Sequence, residues 1–133
     1  MNIFSLVASL FGPGGGDARP KVQAVSPQTA HEQAKAGSVL IIDVRTPDEW
    51  AQTGVAPGAA GITLQDRDFL DRLAKSTRGR KDAAIAFICR SGMRSGAAAG
   101  KARAAGYTNV YNVTGGMSMS GGWIDAGLPV ERD

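Results

Sequence analysis

The chain has 133 residues, 43% hydrophobic and 20% charged, with a net charge of +3, which suits one globular domain with its own core. The mild basicity favours anionic ligands, but no Lys/Arg run is dense enough to track nucleic acid. One cysteine and one histidine exclude an intramolecular disulfide and a Cys/His zinc site, and no apolar run approaches the roughly 20 residues that span a bilayer.

The first segment, MNIFSLVASLFG, carries Ile3, Phe4, Leu6, Val7, Leu10 and Phe11 at helical spacing, with Asn2, Ser5 and Ser9 on the other face. Residues 1–12 are therefore expected to form a short amphipathic helix docked on its own domain or frayed in solvent. A self-association helix or a handle for a partner is the sharper alternative, and the absence of Lys and Arg argues against a membrane surface. The segment lacks the basic start and small-residue cleavage pattern of a secretory signal. A cytoplasmic protein is expected, because a lone reactive thiol survives best in a reducing compartment; export to the periplasm follows only if this segment acts as a signal. Residues 13–20, rich in Gly and Pro, form a linker, which leaves a domain over 21–133.

From there strands and helices alternate. Val22–Val25 is a short strand. Ser26 caps a helix with Pro27 at its first position and Gly37 as its stop, and the only histidine, His31, is expected to face solvent from it. The run SVLIID reads as a strand buried on both faces. Thr46 and Glu49 have capping-box spacing for a second helix, with Pro47 placed where its missing N–H is harmless. A short strand follows around Ala60–Leu64, then a helix over Asp66–Lys75 with Phe69, Leu70 and Leu73 inward. AAIAFI is a further strand, Met93–Ala105 an alanine-rich helix stopped by Gly106, NVYNV another strand, and Met117–Ala126 a loop and terminal helix. This alternation predicts an α/β domain with a mostly parallel central sheet.

The single thiol, Cys89, falls directly after the buried strand, where open parallel sheets bind ligands. The residues after it, Arg90-Ser91-Gly92-Met93-Arg94-Ser95, run into a helix. Such a turn aims backbone N–H groups inward and the helix N-terminus reinforces them, so an anion is favoured and the thiol pKa is lowered. A buried cysteine closing a strand is the plain alternative. It leaves unexplained why two arginines sit in a first helical turn, where cations oppose the macrodipole.

Four blocks in order, IIDVRTPDEW, GVAPGA, CRSGMRS and GGMSMSGGWIDAGLPV, resemble the rhodanese homology family of sulfurtransferases. The resemblance covers about Val22 to Val130. It implies a three-layer domain with a five-stranded, mostly parallel sheet flanked by helices. It also implies that Cys89 is a nucleophile that becomes a persulfide. The backbone amides from Arg90 through Arg94, with Ser95 closing the loop, would hold the outer sulfur, and the Arg90 and Arg94 side chains would attract the oxygens of a small anionic donor such as thiosulfate. Asp43 and Arg45 would brace the site, with a loop cap and a structural ion pair as equally good roles. Two departures stand out: Val55-Ala56 occupies the family's His-Ile position, and MSMSGG adds about three residues between Gly116 and Trp123.

Relatives of the same fold hydrolyse phosphate esters or reduce arsenate, with one more residue between Cys and Arg than the four present here. The shorter loop suits a single sulfur atom, and no acid in it offers a proton to a leaving group. With no second cysteine, a persulfide needs an outside acceptor: cyanide, a small thiol or a thioredoxin-like protein. No metal or organic cofactor is implied. A non-turnover sulfur carrier or a regulatory binding module of the same fold is the second reading, and a phosphatase or arsenate reductase the third.

Overall fold

The structure is a computed structural model that describes residues 22–132. The amphipathic segment expected over 1–12 and the linker over 13–20 lie outside the described residues. Chain order is β1 (Gln23–Val25), α1 (Pro27–Lys35), β2 (Leu40–Asp43), α2 (Pro47–Thr53), β3 (Ala60–Gly61), α3 (Phe69–Thr77), β4 (Ile85–Ile88), α4 (Met93–Ala104) and β5 (Val110–Val113). The five strands form one sheet in the order β1-β5-β4-β2-β3, and every ladder is parallel. This is the α/β architecture expected from the alternation.

Strand β4 sits in the middle and is buried along its whole length, which is why its sequence shows no polar alternation. Its odd-numbered residues Ile85 and Phe87 join Ile42, Phe69, Leu73 and Ala98 under α3 and α4. Ala86 and Ile88 join Ile41, Ala30 and Trp123 on the opposite face, under α1 and the closing segment. Helix α4 buries Ser95, Ala98, Ala99 and Ala102, small side chains that let it lie close to the sheet. Helix starts follow their local chemistry: Ser26 Oγ accepts the Thr29 N–H at 3.1 Å, and Thr46 with Glu49 closes a reciprocal capping box.

Three expectations need correction. Helix α3 begins at Phe69, because residues 66–68 are taken up by a turn in which Phe69 N–H donates to Asp66 O at 3.1 Å. Residues 117–126 form consecutive turns and no helix. Gly115, Gly116 and Gly121 all have positive φ, and the bonds Met119 N–H to Gly115 O, Trp123 N–H to Gly116 O and Ile124 N–H to Met117 O fold the segment back on itself. Its anchor is Trp123, fully buried, whose Nε1–H donates to Pro129 O at 2.8 Å. His31 is half-buried and meets Trp123 edge-on, ring centroids 5.4 Å apart, because α1 covers the indole. At the departure Val55-Ala56, Ala56 is fully buried and Val55 bridges to Glu131 through its backbone, so the pair serves packing.

Candidate active site

The site stands at the carboxyl ends of β2 and β4, neighbours with Asp43 opposite Ile88. Cys89 is the next residue, fully buried and a member of the core cluster beneath α4. Burial alone would fit a structural cysteine, but the surroundings of its sulfur do not. Gly92 adopts φ 111°, a conformation that a side chain disfavours, and this turns its N–H back onto Sγ at 3.0 Å. The Ser95 hydroxyl lies 3.2 Å from the same sulfur and 2.6 Å from Asn112 Oδ1, while Asn112 Nδ2 donates to Gly92 O at 3.0 Å. A strand residue of β5 thus staples the loop of β4 in place.

Burial is the largest single influence on the Cys89 thiol and pushes its pKa up. The Ser95 hydroxyl and the amides of Ser95, Gly92 and Ser91 act against it and together prevail, so the pKa lies below the ordinary thiol value. Arg90, Ser91 and Met93 are exposed around this cradle, Met93 to 82%. Because Cys89 itself has no exposed surface, any reagent must displace part of the loop to reach it.

The arginines part company. Arg90 makes no ion pair among the described residues and is exposed. Arg94 is gripped by Glu49 of α2, Nη1 to Oε1 at 2.6 Å and Nη2 to Oε2 at 2.7 Å. This cation in the first turn of α4 therefore takes its anion from its own chain, and the macrodipole argument for an external anion does not apply to it. Arg94, foremost by its hydrogen bond, holds Glu49 down at about 2, and Glu49 in turn raises Arg94. Asp43 and Arg45 form a buried ion pair at 2.8 Å. Arg45 also donates to Thr53 Oγ1 at 2.7 Å and Gly54 O at 2.9 Å, and its N–H meets Asp43 Oδ1 at 3.0 Å. That network ties the end of β2 to the end of α2.

Three contributors were not singled out from the sequence. Glu49 was read only as half of a capping box, and it does both jobs. Asn112 is the polar break in the apolar VYNV strand, a signal that was available. Gly116 lies so near the loop that a Cβ there would stand 2.5 Å from Cys89 O, and the bonds Met117 N–H to Cys89 O (2.7 Å) and Ser118 N–H to Arg90 O (3.0 Å) join the two segments. The stretch carrying the additional residues is therefore a wall of the site, with Met117 buried and Met119 half exposed.

A family model described as Rhodanese-like domain matches residues 26–119. The chain is 36% identical over 117 residues to "Thiosulfate sulfurtransferase 16, chloroplastic" of Arabidopsis thaliana, covering 81% of this chain and 92% of that protein. It is 34% identical over 101 residues to an uncharacterized protein of Rickettsia prowazekii, covering 69% and 82%. Among solved structures, the polysulfide-sulfur transferase homodimer of Wolinella succinogenes superposes with a TM-score of 0.67 at 26% identity, covering 84% of this chain and 80% of that one. A match across most of the domain, a parallel sheet of the same shape and a cysteine in a loop of amides together lead to one conclusion: the chain belongs to the rhodanese-like domain family, a sulfurtransferase-type family.

Proposed function

We propose that the protein is a sulfurtransferase that carries a sulfane sulfur on Cys89. The observation that carries this reading is the sulfur cradle: Gly92 N–H at 3.0 Å and the Ser95 hydroxyl at 3.2 Å converge on one buried Sγ. Those donors stabilise a thiolate and, after reaction, negative charge on a persulfide. The names of the Arabidopsis and Wolinella relatives support the same chemistry.

In the first step the Cys89 thiolate attacks the outer sulfur of thiosulfate. A bond forms between Sγ and that sulfur, the donor's S–S bond breaks, and its electron pair leaves on sulfite. In the second step cyanide or a thiolate attacks the terminal sulfur, thiocyanate or a new persulfide departs, and the Cys89 thiolate is restored. No outside oxidant or reductant enters, and the covalent intermediate requires ping-pong kinetics. The acceptor comes from outside because Cys89 is the only cysteine. A reducing compartment such as the cytoplasm suits the cycle, and a small thiol or a thioredoxin-like protein suits the second step.

Intact mass after excess thiosulfate tests the reading, with Cys89→Ser as control. The expected result is a gain of one sulfur that cyanide removes as thiocyanate. An unchanged mass on a reduced, accessible thiol overturns thiosulfate as donor.

A further inference from the structure

Among the acids of the described residues, Glu49 is set apart by what holds it and what it holds. Its Oε1 accepts the Thr46 N–H and hydroxyl, both at 3.2 Å, so the carboxylate is fixed to the start of α2 before it meets any partner. Both oxygens then take Arg94 through two parallel short bonds, the fork geometry in which guanidinium and carboxylate are most strongly matched. Arg94 is five residues beyond Cys89 in the loop and feels the charge of both Cys89 and Asp43. It sits in the chain between Gly92 and Ser95, which both hydrogen-bond the Cys89 sulfur, so its charge stands beside the cradle. With Glu49 paired to it, that charge is offset, and Arg90 is the cation of the loop that makes no ion pair among the described residues.

We propose that Glu49 sets the charge preference of the site: by neutralising Arg94 it favours singly charged sulfur donors, alkyl persulfides as a class, over the thiosulfate dianion. This rests on the sulfur-transfer reading and narrows it. The pair stays ionised throughout the neutral range, since Glu49 is held down to about 2 while Arg94 is raised. The side chains are 29% and 23% exposed, so the field of an unpaired Arg94 is only partly screened by water and falls with added salt.

The test is the ratio of Cys89 alkylation rates by iodoacetate, an anion, and iodoacetamide, which is neutral, in the full-length protein. Both reagents need the thiolate and the same loop opening, so the ratio cancels those and reports the field at the sulfur. Glu49→Gln is expected to raise the ratio about fivefold at low ionic strength, with the gain lost at high salt. Arg94→Gln lowers it, Glu49→Asp stays near the wild type, and Glu49→Gln/Arg94→Gln returns to it. Sulfur loading follows: Glu49→Gln improves kcat/KM for thiosulfate relative to cysteine persulfide. A ratio that is flat across Glu49→Gln and Arg94→Gln, in a protein that does load sulfur, overturns the role of Glu49 alone. A wild-type protein that takes sulfur from neither donor overturns the sulfur-transfer reading and the donor preference with it.

Discussion

Gly116→Ala tests whether the closing segment sets the position of Cys89. A Cβ at this residue would stand 2.5 Å from Cys89 O and 2.6 Å from both Arg90 C and Arg90 O, about 0.9 Å inside the 3.4 Å at which ordinary van der Waals contact begins. All three opposing atoms are backbone, so no side chain can swing aside. The loop must move by most of an ångström, or the segment must lift and give up the 2.7 Å and 3.0 Å bonds that Met117 and Ser118 make to it. Alanine at φ 54° adds about 1 kcal/mol of left-handed strain, and two weakened hydrogen bonds add about 1 kcal/mol each. The loss of about 3 kcal/mol corresponds to a Tm lowered by roughly 10 °C in a domain of this size. Function should suffer more than stability, because a misplacement of about 1 Å at a reacting atom costs on the order of 100-fold in rate. The assay is the rate of sulfur loading from thiosulfate by mass, at a temperature where circular dichroism reports a folded protein. A folded Gly116→Ala that loads sulfur at the wild-type rate would refute the coupling of this segment to Cys89.

Ser95→Ala removes the hydroxyl donor and leaves burial, the largest influence on the thiol, less opposed, so the pH profile of Cys89 alkylation should move to more alkaline pH. An unmoved profile would mean that the hydroxyl serves Asn112 alone. The Glu49–Arg94 pair should appear in acid. Glu49 titrates at about 2 when folded against 4.5 ordinarily, so its contribution to stability is fully present above about pH 4.5 and lost as pH falls to 2. The stability gap between wild type and Glu49→Gln, from urea titrations, should therefore close over that window; a gap constant with pH contradicts the assignment. Arg45→Ala strands the buried Asp43 carboxylate and should cost about 3–5 kcal/mol in urea denaturation. A loss under about 1 kcal/mol would show that the network around Gly54 stands without it.

The alternation of elements, and with it the layers, was already written in the order of residues. Capping chemistry at Ser26, Pro27, Thr46 and Pro47 is local, acting over three or four residues, and short continuous apolar runs such as IAFI, rich in Ile, fit a strand with both faces covered. The placement of Cys89 was legible for the same reason, since the strand end it follows and its glycine-jointed loop are contiguous in the chain. Even the terminal segment failed as a helix for a reason that lies partly in its glycines, although only the packing of Trp123 against α1 and Pro129 shows where its turns go. What tertiary structure alone decided is the partnering across long separations. Glu49 and Arg94 are 45 residues apart, Ser95 and Asn112 17, and Gly116 meets Cys89 across the whole of α4 and β5. No local pattern encodes such meetings, because they follow from which strands lie side by side. The parallel register of β2, β4 and β5 carries a carboxylate, a thiol and an amide to the same end of the sheet, and there the lone buried cysteine meets the hydrogen-bond donors that hold its pKa below the ordinary thiol value.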